Sequence, residues 1–147
     1  MGRRWKVLAY MKEYDRYASA LDTLRRAPDQ DLDNEFVLYG VVSLFSHQFD
    51  LGCALLRRLL ACEGDTAARG RAPQSLFRTA SRYFDFVDGE IWLEMIDSRK
   101  DAEGCYESAA AREIASDVVD VYLPEFVRVQ EGIETNYSGL IARDEEE

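Results

Sequence analysis

The chain has 147 residues, of which 47% are hydrophobic and only three are proline, so its composition is that of one folded domain and not of a disordered chain. Its formal net charge of −10, from 28 acidic and 18 basic side chains, disfavours nonspecific binding to nucleic-acid backbones. No apolar run approaches the roughly 20 residues of a membrane span, and three cysteines without a CxxC pair suit reduced thiols, so we expect a cytoplasmic protein with no membrane partner.

A helix is predicted first, over residues 5–26, because apolar residues recur there at steps of three and four. Pro28 ends it, and Asp33 or Asn34 caps a second helix over residues 35–62. That second helix is apolar on more than one face, so we expect it to be the central and most buried one.

A flexible surface loop, "EGDTAARGRA", follows, and Pro73 suits the first position of a short third helix. Asp88 can cap the fourth helix, which ends in the polar stretch "DSRKDAEGCYES", residues 97–108. The last helix is predicted to start at about Ser108 and to reach at least Val129, with Pro124 kinking or breaking it.

These elements predict an all-α fold, an antiparallel up-and-down helical bundle of four to five helices, since no stretch alternates with the period of a strand. We expect one bundle domain over residues 1–133 and an acidic, flexible tail over residues 134–147. Apolar content above what a small bundle can hide favours a homodimer, formed through an exposed face of the second or last helix.

Few side chains suggest catalysis. His47, the only histidine, lies on the apolar second helix, where we expect a packed or hydrogen-bonded side chain and not a catalytic one. Glu94, Asp97 and Asp101 share one face of the fourth helix, which we interpret as a solvated face and not as a metal site. Phosphate-binding glycine loops and a GxSxG elbow are missing from the sequence, so no cofactor and no metal are predicted.

A local basic face stays a hypothesis despite the negative net charge, because six arginines lie in the middle of the chain. They are Arg57, Arg58, Arg69, Arg71, Arg78 and Arg82.

Several segments together resemble the nucleotidyltransferase substrate-binding protein family, a branch of the HEPN superfamily, over nearly the whole chain. The matching segments, in order, are "FSHQFDLGCALLRRLL", "APQSLFRTA", "DGEIWLEMIDSRK", the tyrosine at position 106, and "YLPEF". Each is weak alone, whereas their order and spacing together are specific. The resemblance implies an up-and-down bundle that dimerises and pairs with a minimal nucleotidyltransferase encoded nearby.

Many relatives in the wider superfamily are instead ribonuclease toxins that the partner neutralises, and their motif is an arginine, a polar residue, three further residues, a histidine, one residue and a tyrosine. In this frame the chain has Arg99, Lys100, Gly104 and Tyr106 at the arginine, polar, histidine and tyrosine positions. Glycine cannot take or give a proton, so the usual acid or base is missing. The second helix also departs from the family pattern, since it keeps Asp50 but has no Trp-Lys pair.

We therefore interpret the chain as a non-catalytic substrate-binding or antidote-type partner of a nucleotidyltransferase, with a nucleotide or an RNA phosphate as a possible ligand. Two alternatives stay open: a metal-independent ribonuclease toxin, which would use Arg99 with His47 or Tyr106, and a structural dimerisation module. Arg99 could clamp a phosphate or form an ion pair with a carboxylate. The candidate substrate-binding residues are Arg99, Tyr106, Trp92, Asp50 and Arg78, of which Arg99 and Tyr106 are also the catalytic candidates.

Overall fold

A computed structural model describes the backbone of residues 2–146 and the side chains of residues 11–137. Its α-helices are α1 (Gly2–Leu24), α2 (Glu35–Cys62), α3 (Pro73–Tyr83), α4 (Gly89–Ala102), α5 (Ser108–Asp117) and α6 (Leu123–Glu146). A π-helical turn, Val118–Tyr122, joins α5 to α6, so these three form one continuous helical rod. The predicted helical bundle is confirmed, and the described residues include no strand.

Local sequence signals explain where the helices start. The side chain of Asn34 accepts hydrogen bonds from the backbone N–H groups of Phe36 and Val37, and Asp88 does the same for residues 90 and 91. Pro73 occupies the first turn of α3, where its missing N–H costs nothing. The predicted cap at Asp88 is therefore confirmed, and of the two alternatives for the second helix, Asp33 and Asn34, the cap is Asn34.

The predicted irregularity near Pro124 takes the form of the π-helical turn just before it. Proline cannot donate a backbone hydrogen bond, and Leu123 N–H bonds the carbonyl of Val118, five residues earlier. The rod continues through this wider turn, so Pro124 perturbs the last helix without breaking it.

Helix α2 is the central helix, as predicted, since it packs against α1, α3, α4 and α5. The core where these helices meet is strongly aromatic, and Trp92 of α4 lies inside it with no exposed surface. Its indole packs against Phe77 at 5.1 Å, Phe126 at 5.4 Å and Phe49 at 6.2 Å between ring centroids. Such ring contacts between α2, α3, α4 and α6 fix the helices relative to one another.

Helix α6 continues past residue 133, where we predicted the bundle domain to end, and part of this continuation contacts the bundle. The domain boundary itself stays a prediction. The hydroxyl of Tyr14 on α1 donates to Glu134 Oε1 at 2.7 Å, and that of Tyr137 donates to Glu63 Oε1 at 2.7 Å. The side chains of residues 138–147, which make up most of the predicted tail, lie outside the described residues.

In the part of the chain that the structure describes, no helix is long and apolar enough to cross a membrane.

Candidate functional site

Arg99 lies in the last turn of α4 and forms an ion pair with Asp50 on α2. Its Nε and Nη2 donate to Asp50 Oδ1 and Oδ2, each at 3.2 Å, which is the two-pronged geometry that guanidinium and carboxylate groups favour. Its Nη1 donates to Glu103 Oε1 at 3.1 Å, one turn along α4. Two of the predicted site residues, Arg99 and Asp50, are thus brought together across 49 positions of sequence.

The ion pair is partly accessible to solvent. The Arg99 side chain is 24% exposed and that of Asp50 is 55% exposed. Hydrogen bonding to Asp50, followed by its charge and that of Glu103, raises the pKa of Arg99 above its usual value. The guanidinium therefore stays cationic, but three of its five N–H donors are already engaged by protein carboxylates.

Gly104 comes two residues after the end of α4 and has a φ of +70°, in the left-handed region. It is the third residue of a four-residue turn that the Cys105 N–H closes on the Ala102 carbonyl at 3.3 Å, and glycine adopts this conformation without the strain that a side chain brings. The position that holds histidine in the ribonuclease frame therefore serves here to turn the chain out of α4.

Tyr106 lies beyond this turn with 88% of its surface exposed. Its backbone carbonyl accepts a hydrogen bond of 3.0 Å from the hydroxyl of Tyr39 on α2, which ties the loop to the bundle. The phenol itself is therefore presented to solvent by an anchored loop.

A groove of about 470 Å³ lies between the end of α4 and the start of α5, and Tyr106 lines it. Four carboxylates also line this groove, those of Asp101, Glu107, Glu113 and Asp117. A concentration of negative charge repels phosphates, so the groove beside Tyr106 does not favour a phosphate ligand.

Trp92 is part of a buried polar junction between α4 and α6. Its Nε1–H donates to Glu125 Oε2 at 2.9 Å, and the same oxygen accepts the backbone N–H of Asp88 at 2.8 Å. Burial is the main reason that the pKa of Glu125 is raised above its usual value. The "YLPEF" segment contains this glutamate, but nothing in the sequence indicated that it would be buried.

Arg78 lies away from Arg99, near the beginning of α4. It lines an open pocket of about 410 Å³ together with Arg128, Asp88 and Glu90. The ten residue steps from Gly89 to Arg99 separate the two ends of this helix by about 15 Å. The five predicted substrate-binding residues therefore do not form one cluster: Arg99 pairs with Asp50, while Trp92 is buried and Arg78 lies at the far end.

The expectation that His47 is packed was wrong, because its side chain is exposed. The neighbouring α2 positions Phe45, Gln48 and Phe49 fill the core, and this turns His47 towards solvent, one helical turn before Asp50. Glu94, Asp97 and Asp101 are exposed along α4, as expected for a solvated face. Among the described residues no group of three or more potential metal ligands comes together.

A family model described as "Nucleotidyltransferase substrate binding protein like" matches residues 12–135, which is most of the chain. The match spans α2 to α5 completely, together with about the second half of α1 and the first half of α6. No curated protein matches the chain.

Proposed function

The chain belongs to the nucleotidyltransferase substrate binding protein like family, and we propose that it is the non-catalytic subunit of a two-chain system, in which a small nucleotidyltransferase on another chain supplies the chemistry. In this role it binds substrate or acts as the antidote-type partner. The observation that carries the proposal is the family match over residues 12–135.

The absence of an acid or base at position 104 supports a binding role. Gly104 has no side chain to move a proton, and its left-handed backbone would strain any histidine placed there. We propose that the chain is a degenerate member of the HEPN superfamily that has kept Arg99 and Tyr106 without the histidine between them.

Within this proposal Arg99 and Asp50 form the polar centre of the binding face, and Tyr106 contributes an exposed ring on the loop that follows α4. Trp92 acts from the core, since it fixes α4 against α6 through Glu125. Arg78 contributes a second cation, at the other end of α4. We propose a nucleotide or an RNA phosphate as the ligand, and we propose no cofactor.

A cytoplasmic homodimer is part of the proposal. Phe36 in the first turn of α2 is 91% exposed, which is unusual for a large apolar side chain and supports self-association through this helix. Light scattering of the purified chain at micromolar concentration tests the dimer, and a mass of one chain would refute it.

The partner claim is tested by co-expression with the nucleotidyltransferase encoded nearest to this chain. If that enzyme co-purifies with the tagged chain and its transfer rate rises when the chain is added, the proposal is supported. A genome with no such neighbour, together with an unchanged rate for added nucleotidyltransferases, would refute it and favour the structural dimerisation module.

The ribonuclease toxin remains a second candidate, because exposed His47 lies one helical turn before Asp50, the partner of Arg99. RNA is incubated without metal with the wild-type chain, with Arg99→Ala and with the control Arg82→Ala, which removes an exposed arginine of α3. We expect no cleavage by any of the three. Cleavage that is lost in Arg99→Ala and kept in Arg82→Ala would establish the toxin instead.

Modification of Tyr106 by the partner is a secondary proposal, supported by the exposure of its phenol. Incubation of the pair with nucleoside triphosphates, followed by intact-mass measurement of this chain and of Tyr106→Phe, tests it. A nucleotide adduct that persists in Tyr106→Phe would contradict the assignment to Tyr106.

A further inference from the structure

A groove of about 530 Å³ lies along the C-terminal half of α2, away from the α4–α5 loop. Its cationic lining comes from Arg57 and Arg58 of α2 and from Arg69 of the loop between α2 and α3. Such a cluster stands out in a chain whose net charge is −10. Three of the six arginines in the middle of the sequence are thus brought together in one groove.

The acidic side chains of the groove do not neutralise these arginines. Asp65 is engaged by Arg71, which does not line the groove and whose Nε and Nη2 donate to its two oxygens at 2.7 and 3.1 Å. Glu13 is the other carboxylate among the described lining residues. The groove therefore contains three arginines and only one carboxylate, Glu13, that is not already paired with an arginine, so its net charge is positive.

The arginines also keep donors available for a ligand. Arg57 uses Nη2 to bond the backbone carbonyl of Arg71 at 3.1 Å, which holds the loop against α2. Neither Arg58 nor Arg69 has a hydrogen-bond or ion-pair partner among the described side chains. This differs from Arg99, whose donors are largely engaged by Asp50 and Glu103.

One part of the groove is apolar, because small side chains from α2 and the loop line it beside the arginines. They are Ala54, Ala61, Cys62 and Ala68. An inorganic anion has no apolar surface to bury against these side chains, whereas an organic phosphate can place its phosphates on the arginines and its uncharged part against the alanines. A volume of about 530 Å³ is within the usual size of a small-molecule site.

We infer that this groove binds a nucleoside triphosphate, with the phosphates held by Arg57, Arg58 and Arg69 and the nucleoside lying on the apolar wall. Arginine suits this task because its planar, forked donors match phosphate oxygens. The inference stands on the charge and shape of the groove and does not depend on the proposed partner.

Isothermal titration calorimetry of the full chain with ATP and GTP tests the inference, in low salt and without metal. Arg58→Ala and Arg69→Ala are the informative variants, because neither side chain has a partner whose loss would disturb the fold. We expect each to weaken binding about tenfold, as loss of one charge-assisted hydrogen bond does. Arg82→Ala, which makes the same charge change outside the groove, should bind like wild type.

Two further measurements sharpen the test. Glu13→Gln should tighten binding, since it removes the one lining carboxylate that no guanidinium engages. Inorganic triphosphate should bind more weakly than ATP, because it cannot use the apolar wall.

Absence of binding at millimolar ATP would overturn the inference. It would also be overturned if Arg82→Ala lost as much affinity for ATP as Arg58→Ala and Arg69→Ala do, because binding would then reflect nonspecific charge attraction. Equal affinity for inorganic triphosphate and ATP would overturn the nucleoside part. Tight binding of single-stranded RNA that ATP does not displace would replace the nucleotide with RNA.

Discussion

The buried carboxylate of Glu125 offers the sharpest test of how α4 is held against α6. Replacement of Glu125 by alanine removes the acceptor of two hydrogen bonds, from the backbone N–H of Asp88 and from Nε1–H of Trp92. An unsatisfied buried donor costs about 1–3 kcal/mol, and of these two donors the Trp92 indole N–H is fully buried and the Asp88 N–H partly buried, so we expect Glu125→Ala to lose about 2–4 kcal/mol of unfolding free energy. A domain of this size is stable by about 5–15 kcal/mol, so this loss is a large fraction.

Glu131→Ala is the matched control, because it makes the same substitution at an exposed position of the same helix. The same side chain is removed from the same helix in the two variants, so their difference reports the contacts of Glu125, which are the two hydrogen bonds and an ion pair with Arg128 Nη1 at 3.7 Å. Urea unfolding followed by circular dichroism gives both free energies, and the control should change by less than about 0.5 kcal/mol. A cost at Glu125 no greater than that at Glu131 would refute the role of the junction.

Glu125→Gln separates hydrogen bonding from charge. Both donors approach one oxygen, Oε2, so the amide oxygen of glutamine can keep them. Burial raises the pKa of Glu125 above 4.5 in the folded protein, so protonation stabilises the fold: this stability is complete below about pH 4.5 and is lost as pH rises through the folded pKa. Relative to Glu125→Gln, the wild type should become less stable as pH rises from about 4.5 through the folded pKa of Glu125, and an unchanged difference would contradict the raised pKa.

Two other predictions concern α2. Gly52→Ala should destabilise the fold by about 1–3 kcal/mol, because the new Cβ would lie 2.5 Å from Trp92 Cη2. Gly40→Ala is the control: its new Cβ would have no atom within 4 Å, so it should stabilise the fold by about 0.5–1 kcal/mol. Thermal denaturation of both variants checks this. Asp50→Asn should cost no more than about 1 kcal/mol, since its ion pair with Arg99 is partly exposed, and the cost should shrink in high salt; a cost that 1 M salt leaves unchanged would mean that the pair acts through packing.

The helix starts could be predicted because their signals are local. A cap such as Asn34 or Asp88 bonds N–H groups two or three residues ahead, and Pro73 has its fixed φ wherever it occurs. The same local rules failed at His47. An apolar helix suggested burial, but Phe45 and Phe49 fill the space in the core, and only the packing of the neighbouring helices decides which side of α2 is left exposed.

The contacts of the candidate residues could not be predicted, because they join positions far apart in the chain. Nothing at Arg99 indicates that its partner is Asp50, 49 residues earlier, and nothing in "DGEIW" indicates that its tryptophan bonds Glu125. The family resemblance pointed to certain segments, but it did not indicate which of their side chains are buried. That distinction depends on how the helices pack and separates Trp92, in the core, from Tyr106, at the surface.

Asp50, which pairs with Arg99, and the arginine groove both lie on α2. Their positions along this helix have a consequence for the binding of phosphates. Ala54 of the groove is four residues after Asp50, and hence one turn further on the same face of α2. An anion at Arg99 must compete with the two carboxylates that are paired with it, whereas Arg58 is paired with no carboxylate of the described residues. Phosphates should therefore occupy the groove first, and Arg99 should engage a ligand only if that ligand extends past Ala54 and displaces Asp50.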